Sequence, residues 1–348
     1  MQSKDSMYEK VGEGIFCIKV PLPKSPLKAI NCYLIKGTAG DLLIDTGFRR
    51  TECREWLSKS LDELKVQRER LDVLATHIHS DHVGLVSEFA GSGCNIYLSE
   101  IDACYLEKIL TGRHGEELHR KMLKSGFPPS KLQEVEKTLP SKLYSIAERD
   151  SRICTLKDGD KIIVGDYQLQ VILVQGHSPG NMMLWDENHR MMFTGDHILF
   201  NITPNITIFA DMQDSLGEYL SSLCKAAQYP AEFVFPGHRA AGNYMKRIRE
   251  ILEHHKERLQ EIMWVVKTYP ESTAYEIASH MSWNIHGNGW DDFPDRQKWY
   301  AVGESLSHLE YLGTRGFLEY GRNGYYCVKN PMDNNLDTIF DTYFESIK

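Results

Sequence analysis

The chain has 348 residues, 40 Lys+Arg against 48 Asp+Glu, and a formal net charge of −8. That length suits about two domains with a full core, and the charge leaves no basic excess for holding nucleic acid or an anionic membrane. Hydrophobic residues at 42% and charged residues at 25% exclude wholesale disorder, and no apolar run approaches the ~18–20 residues that span a bilayer.

Taken in chain order, residues 14–20, 29–36 and 41–45 read as strands, the last two joined by a short turn between Gly37 and Gly40. Apolar residues at helical spacing (Trp56, Leu57, Leu61, Leu64) predict a helix over 51–64. A buried strand at 71–76 runs straight into a His/Asp cluster, a second helix is expected from near Val83, and 95–98 is the next strand. From about 100 to 149 the pattern turns to charged amphipathic helix, broken at Gly126-Phe127-Pro128-Pro129, which reads as a helical insertion. Strands resume at 161–164 and 167–174, and 182–185 and 191–194 form a hairpin. A helix at 215–227 and a strand at 233–235 complete the first domain, 1–242.

Beyond Asn243 helices are expected at 244–267, 273–281 and 298–315. A hairpin follows, 317–320 with 325–328, turned at Asn323-Gly324, and then one more helix after Asn330. Three helices and a hairpin suggest a winged-helix-like module within 243–348. Trp283, Trp290, Phe293 and Trp299 are read as core rather than pocket.

The eight cysteines, at 17, 32, 53, 94, 104, 154, 224 and 327, form no CxxC, and the N-terminus has no signal-peptide pattern. They read as reduced thiols, mostly small core residues, in a cytoplasmic protein. Phosphate-loop, dinucleotide and serine-nucleophile signatures are absent.

The chemistry concentrates in Thr76-His77-Ile78-His79-Ser80-Asp81-His82, where four candidate ligands fall within six residues at a strand end. Alternation turns His77 and His79 toward one point and carries Asp81 and His82 to a neighbouring one. His177, Asp196 and His238 each follow a later strand, flanked by glycines that allow tight turns. Five imidazoles and two carboxylates suit a borderline divalent metal, and suffice for two ions bridged by a carboxylate. His114, His119, His189, His254, His255, His280, His286 and His308 are read as structural or surface residues. His197 is left outside the ligand set.

This HxHxDH…H…D…H set resembles the metallo-β-lactamase superfamily, and the resemblance covers roughly residues 10–242. It implies an α+β fold, an αββα sandwich of two facing sheets with helices outside. It implies that His77, His79 and His177 hold one metal, Asp81, His82 and His238 a second, and that Asp196 bridges them. Asp45, in Asp45-Thr46-Gly47, would orient a ligand histidine through a hydrogen bond. Two close cations lower the pKa of bound water, giving a metal-bound hydroxide that attacks a carbonyl or phosphorus, with Asp81 accepting the water's hydrogen bond. Zinc is the expected metal, with iron or manganese as alternatives.

The adjacent Asp81-His82 pair and Asp196 resemble ester, thioester, lactone and phosphodiester hydrolases of the glyoxalase II-like branch more than true β-lactamases. The expectation is a hydrolase of a small acyl substrate: a thioester, ester or lactone. A phosphodiesterase or endoribonuclease is the main rival, and a non-catalytic DNA-binding regulator with a structural metal site the second. Ten basic and twelve acidic side chains over 245–328 disfavour nucleic acid. No membrane association is expected, and a homo-oligomer is left open. The insertion at 101–143 is the candidate lid. Its Arg113, His114, Arg120 and Lys121 read either as contacts for an anionic group or as a solvated helix face.

Overall fold

Side chains that alternate with a period of two divide each central strand between two apolar layers. The computed structural model describes residues 7–138, 152–209, 211–283, 289–322, 324–327 and 335–348. Strands β1 (Tyr8–Gly12), β2 (Ile15–Pro21), β3 (Ala29–Ile35), β4 (Asp41–Ile44), β5 (Leu71–Leu74), β6 (Asn95–Ser99) and β7 (Arg152–Leu156) form one sheet in chain order. It is antiparallel from β1 to β4 and parallel from β4 to β7. A second sheet holds β8 (Lys161–Val164), β9 (Tyr167–Leu173), β10 (Met182–Asp186), β11 (Met191–Gly195) and β12 (Phe233–Pro236), with β11 and β12 parallel.

Tyr33, Ile35, Leu42, Ile44 and Leu74 face Leu169, Val171, Met182, Leu184 and Phe193 between the sheets. The intervening residues Cys32, Leu34, Leu43 and Val73 pack outward under α1 (Thr51–Glu63). On the other side Met183, Trp185 and Met192 join α7 (Ser215–Ala226) and α8 (Tyr244–Thr268). The layers are therefore helix, sheet, sheet, helix, the αββα sandwich that the resemblance implies. Strands β1 and β7 are additions to the predicted set; both lie at sheet edges, and their mixed burial gives a weak pattern.

The helix expected from Val83 is instead two short ones, α2 (Ser80–Val83) and α3 (Val86–Phe89). Gly84 lies between them, where a Cβ would sit 2.4 Å from the Ser80 carbonyl oxygen and 2.6 Å from that of Gly47. The backbone is pressed against the loop after β4 there, so only glycine fits; Gly84 keeps helical angles, and the break falls at Leu85, with φ −116° and ψ 7°. The insertion supplies α4 (Glu100–Leu110), α5 (Arg113–Lys124) and α6 (Pro129–Thr138), broken at the predicted Gly-Phe-Pro-Pro; residues 139–151 lie outside the described set. The C-terminal part supplies α9 (Ala274–His280), α10 (Asp295–Thr314), the hairpin of β13 (Leu318–Tyr320) with β14 (Tyr325–Cys327), and α11 (Leu336–Ser346). Its Leu259, Ile277, Val302 and Phe340 share one apolar cluster with Met183 and Leu216 of the second sheet and α7.

Trp299 is buried and Trp283 and Trp290 pack against the same cluster, as core residues. No disulfide occurs among the described cysteines; Cys17, Cys32 and Cys53 are buried, while Cys94, Cys154 and Cys224 are half-buried and Cys104 is exposed. No helix among the described residues is long and apolar enough to cross a membrane.

The two sheets are stitched where the ligand-bearing loops leave them. The backbone N–H of Met182 donates to the Thr76 carbonyl at 2.9 Å. Asn31 of β3 donates its side-chain amide to the carbonyls of Pro236 (2.9 Å) and Arg239 (2.8 Å), bracketing His238. Replacing Asn31 with Ala should lower unfolding stability by about 1–3 kcal/mol, because buried carbonyls lose their donor. Urea unfolding measures this, and unchanged stability would show that the loop holds its own shape.

Candidate metal centre

The centre begins with Asp45, whose backbone stands at φ 61°, a conformation Asp tolerates better than most residues. This turn brings its carboxylate back to β5. Oδ1 accepts the Thr76 N–H at 2.8 Å, and Oδ2 lies 2.8 Å from His82 Nδ1 and 2.9 Å from Thr76 Oγ1. Thr76 Oγ1 is also 3.1 Å from His77 Nδ1. His82 therefore carries its proton on Nδ1, toward Asp45, and presents Nε2 to the interior.

His177 and His238 follow the same rule, whereas His79 turns its Nδ1 inward, 2.9 Å from His77 Nε2. His177 Nδ1 donates to the Asn205 carbonyl at 3.0 Å, and His238 Nδ1 to the Ala29 carbonyl at 2.8 Å. Tyr219 of α7 supports two ligand loops together. Its hydroxyl donates to the His197 carbonyl at 2.8 Å, and its Cβ lies where a side chain on Gly176 would fall, 2.3 Å away. Gly176 also stands at φ +122°, so the loop before His177 requires glycine on both counts.

All seven predicted residues come together. Ligand atoms of His77, His79 and His177 lie within 4.8 Å of one another, as do those of Asp81, His82 and His238, and those of His77, His82 and Asp196. Asp196 stands between the groups: Oδ2 is 3.7 Å from His177 Nε2 and 3.4 Å from His238 Nε2, and Oδ1 is 3.5 Å from His82 Nε2. Asp81 Oδ2 is 3.4 Å from His238 Nε2. Nε2 of His82, His177 and His238 and Oδ1 of Asp196 are buried without a hydrogen-bond partner. Buried polar atoms left unpaired are costly, and four of them converging from separate loops fit divalent cations. His197 stays apart, its buried ring held low, to about 3, chiefly by burial.

The protonation pattern differs between the groups. Burial and the neighbouring imidazoles push His77, His79 and His177 below the usual histidine range, His79 to about 3. At the second group burial works the same way, but Asp45 and Asp196 outweigh it at His82, and Asp196 and Asp81 raise His238 to about 10. Asp81 resists its own burial and falls to about 2, through His238 and His82.

Asp102, on the first turn of α4, was not among the predicted residues. It is buried, and its carboxylate accepts the N–H of Gly180 at 2.7 Å and of Ile78 at 3.0 Å, with Ser178 Oγ at 3.4 Å. One side chain of the insertion thus clamps the His77–His79 segment to the loop of His177. Burial raises its pKa to about 7 against those donors. Of the cations on the insertion, Lys121 is tied to the neighbouring loop, while Arg113 and Arg120 are exposed and make only long surface ion pairs. Lys121 donates to the Phe209 carbonyl at 2.9 Å, Arg113 pairs with Glu107 at 3.6 Å and Arg120 with Glu117 at 3.9 Å. His114 packs its ring near Tyr105 and Phe209.

Replacing Asp102 with Ala should cost about 2–3 kcal/mol in urea unfolding and weaken metal uptake, since buried N–H donors in two ligand loops lose their acceptor. Metal uptake should also carry a pH signature. A protonated imidazole must release its proton to bind a cation, so affinity at the Asp81/His82/His238 group should rise with pH through the neutral range, while the three-histidine group should change little above pH 6.5. Calorimetric titration with Zn²⁺ in buffers of different ionisation enthalpy counts those protons, and zero release at neutral pH would contradict the assignment.

Comparison with known proteins agrees with this geometry. Residues 26–238 match the metallo-beta-lactamase superfamily. The human acyl-coenzyme A thioesterase MBLAC2 is 26% identical over 265 residues, covering 69% of this chain and 87% of its own. The probable metallo-hydrolase YqjP of Bacillus subtilis is 24% identical over 315 residues, covering 86% and 92%. Among solved structures, a metallo-beta-lactamase family protein from Thermus thermophilus superposes with a TM-score of 0.76 at 26% identity, covering 91% of this chain and 99% of that one. A beta-lactamase domain protein from Burkholderia ambifaria gives 0.78 at 23% identity, covering 92% and 94%. With the match spanning both sheets and every histidine and aspartate of the cluster, the chain belongs to the metallo-beta-lactamase superfamily.

Proposed function

We propose that this metallo-hydrolase cleaves a small acyl substrate, with a thioester favoured over an ester or lactone. The observation that carries the reading is the convergence of unpaired, buried Nε2 and carboxylate atoms in two adjoining groups bridged by Asp196. The similarity to a protein named as an acyl-coenzyme A thioesterase supports the thioester. In this reading His77, His79 and His177 would hold one divalent cation and Asp81, His82 and His238 a second, with Asp196, which lies between the groups, available to both. Zinc suits the nitrogen and oxygen donors, with iron or manganese as alternatives.

Bound cations would lower the pKa of a coordinated water and polarise the scissile carbonyl. The chain's own residues do the positioning. Asp45 accepts the hydrogen bond of His82 Nδ1, which aims Nε2 at the cation position. Asp81, kept ionised by His238 and His82, would accept a hydrogen bond from that water. A thiolate leaves readily with little protonation, so the absence of an assigned general acid is no obstacle for a thioester.

The unit 1–242 is proposed as the catalytic domain and 243–348 as a winged-helix-like packing module of a cytoplasmic enzyme of the glyoxalase II-like branch. Its ten basic and twelve acidic side chains over 245–328 speak against a nucleic-acid platform.

Hydrolysis of an acyl-coenzyme A, a lactone and a phosphodiester, compared side by side with zinc-loaded protein, tests the reading. Acyl cleavage should dominate and fall by about 10²-fold or more in Asp196→Ala, since loss of an outer partner alone costs 10–100-fold. Faster phosphodiester cleavage, lost in the same variant, would overturn it in favour of the nuclease.

A further inference from the structure

The acceptors that orient His77, His82 and His238 stand at strand ends: Thr76 after β5, Asp45 after β4, and Ala29 opening β3. The acceptor for His177 is different. It is the carbonyl of Asn205, in the long connection between β11 and α7. A loop carbonyl holds an imidazole in place only if something holds the loop.

That support comes from the C-terminal helices. The side-chain amide of Asn205 donates to Glu304 Oε2 on α10 at 3.0 Å. One turn further along, Ser307 Oγ donates to the Ile206 carbonyl at 2.7 Å. Two consecutive loop residues, Asn205 through its side chain and Ile206 through its carbonyl, thus meet one face of α10. Glu304 is itself fixed, its other oxygen 3.7 Å from Arg258 Nε on α8, with side chains only 16% and 10% exposed. Arg258 keeps further partners in Glu261, the Ser282 carbonyl at 2.8 Å and the face of Trp283 at 4.3 Å. Removing the Glu304 carboxylate therefore strands no lone cation.

We propose that Glu304 is a positioning residue for His177: through Asn205 it sets the ring that completes the three-histidine group, so the C-terminal helices act on one half of the metal centre without touching it. The inference rests on the reading that the two groups hold cations.

The test is a Co²⁺ titration of the metal-free full chain, followed by visible absorption, for the wild type, Glu304→Ala, Glu304→Gln, Asn205→Ala and the double variant Asn205→Ala/Glu304→Ala. Wild type should bind two equivalents. Glu304→Ala should weaken one of them by about 10–100-fold and leave the other unchanged. Glu304→Gln, which keeps an acceptor for the Asn205 amide, should recover most of that loss. The double variant should be no worse than either single one, because both break the same link. Urea unfolding of the metal-free proteins checks folding, and if Glu304→Ala does not fold, Glu304→Gln and Asn205→Ala carry the test. Unchanged binding of both equivalents, equal weakening of both, or additive losses in the double variant would overturn the proposal while leaving the hydrolase reading intact. A wild type that binds no Co²⁺ would instead remove the metal reading, and this inference with it.

Discussion

One carboxylate sets the geometry of the whole centre. Asp45, turned back at a positive φ, binds the Thr76 N–H and His82 Nδ1 with the two oxygens of one side chain. It spans the ends of two adjacent parallel strands, β4 and β5, and so fixes where the segment from His77 to His82 begins and how it ends. A buried carboxylate with several donors is rigid, because any movement would leave it or them unpaired. Ligands from three other loops, those of His177, Asp196 and His238, are then placed against that fixed edge.

Those loops leave the second sheet, and each is tied by a side chain remote in sequence. Asn31 of the first sheet holds the loop of His238 after the second, 205 residues away. Asp102 of the insertion holds the His177 loop, and Tyr219 holds both that loop and the one after Asp196. The apolar layers supply the stability, and these polar ties supply the precision. The continuous cluster joining the second sheet to α8, α9 and α10 makes the C-terminal part a wall of the same core.

The sequence shows the ligands because their chemistry is local: four polar groups in six residues at a strand end have few structural uses. The sandwich is legible only through the family resemblance that those ligands carry, since Cys32, Leu34 and Leu43 are as apolar as Tyr33, Ile35, Leu42 and Ile44 and the residues themselves do not say which face meets the second sheet. Strands β1 and β7 are harder to see, because an edge strand buries little and its pattern is diluted. The supporting residues are harder still. Asp102 sits where an acid on the first turn of an ordinary helix would sit, and Asn31 looks like any polar residue in a strand. Their importance comes from partners 24 to 208 positions away, which no local pattern encodes.

The spacing of the ligands also bears on how the molecule assembles. His77, His79, Asp81 and His82 form a chelating string that needs no fold, whereas His238 meets its acceptor Ala29 only after 209 residues of chain have been organised. Closing so long a loop costs chain entropy that only the packed sandwich offsets, so the complete ligand set exists only in the folded chain. A cation held by the short string alone would need no folded sandwich. That grip favours the unfolded chain as well as the native one, and reduces the stabilisation that the finished site would otherwise draw from its metal.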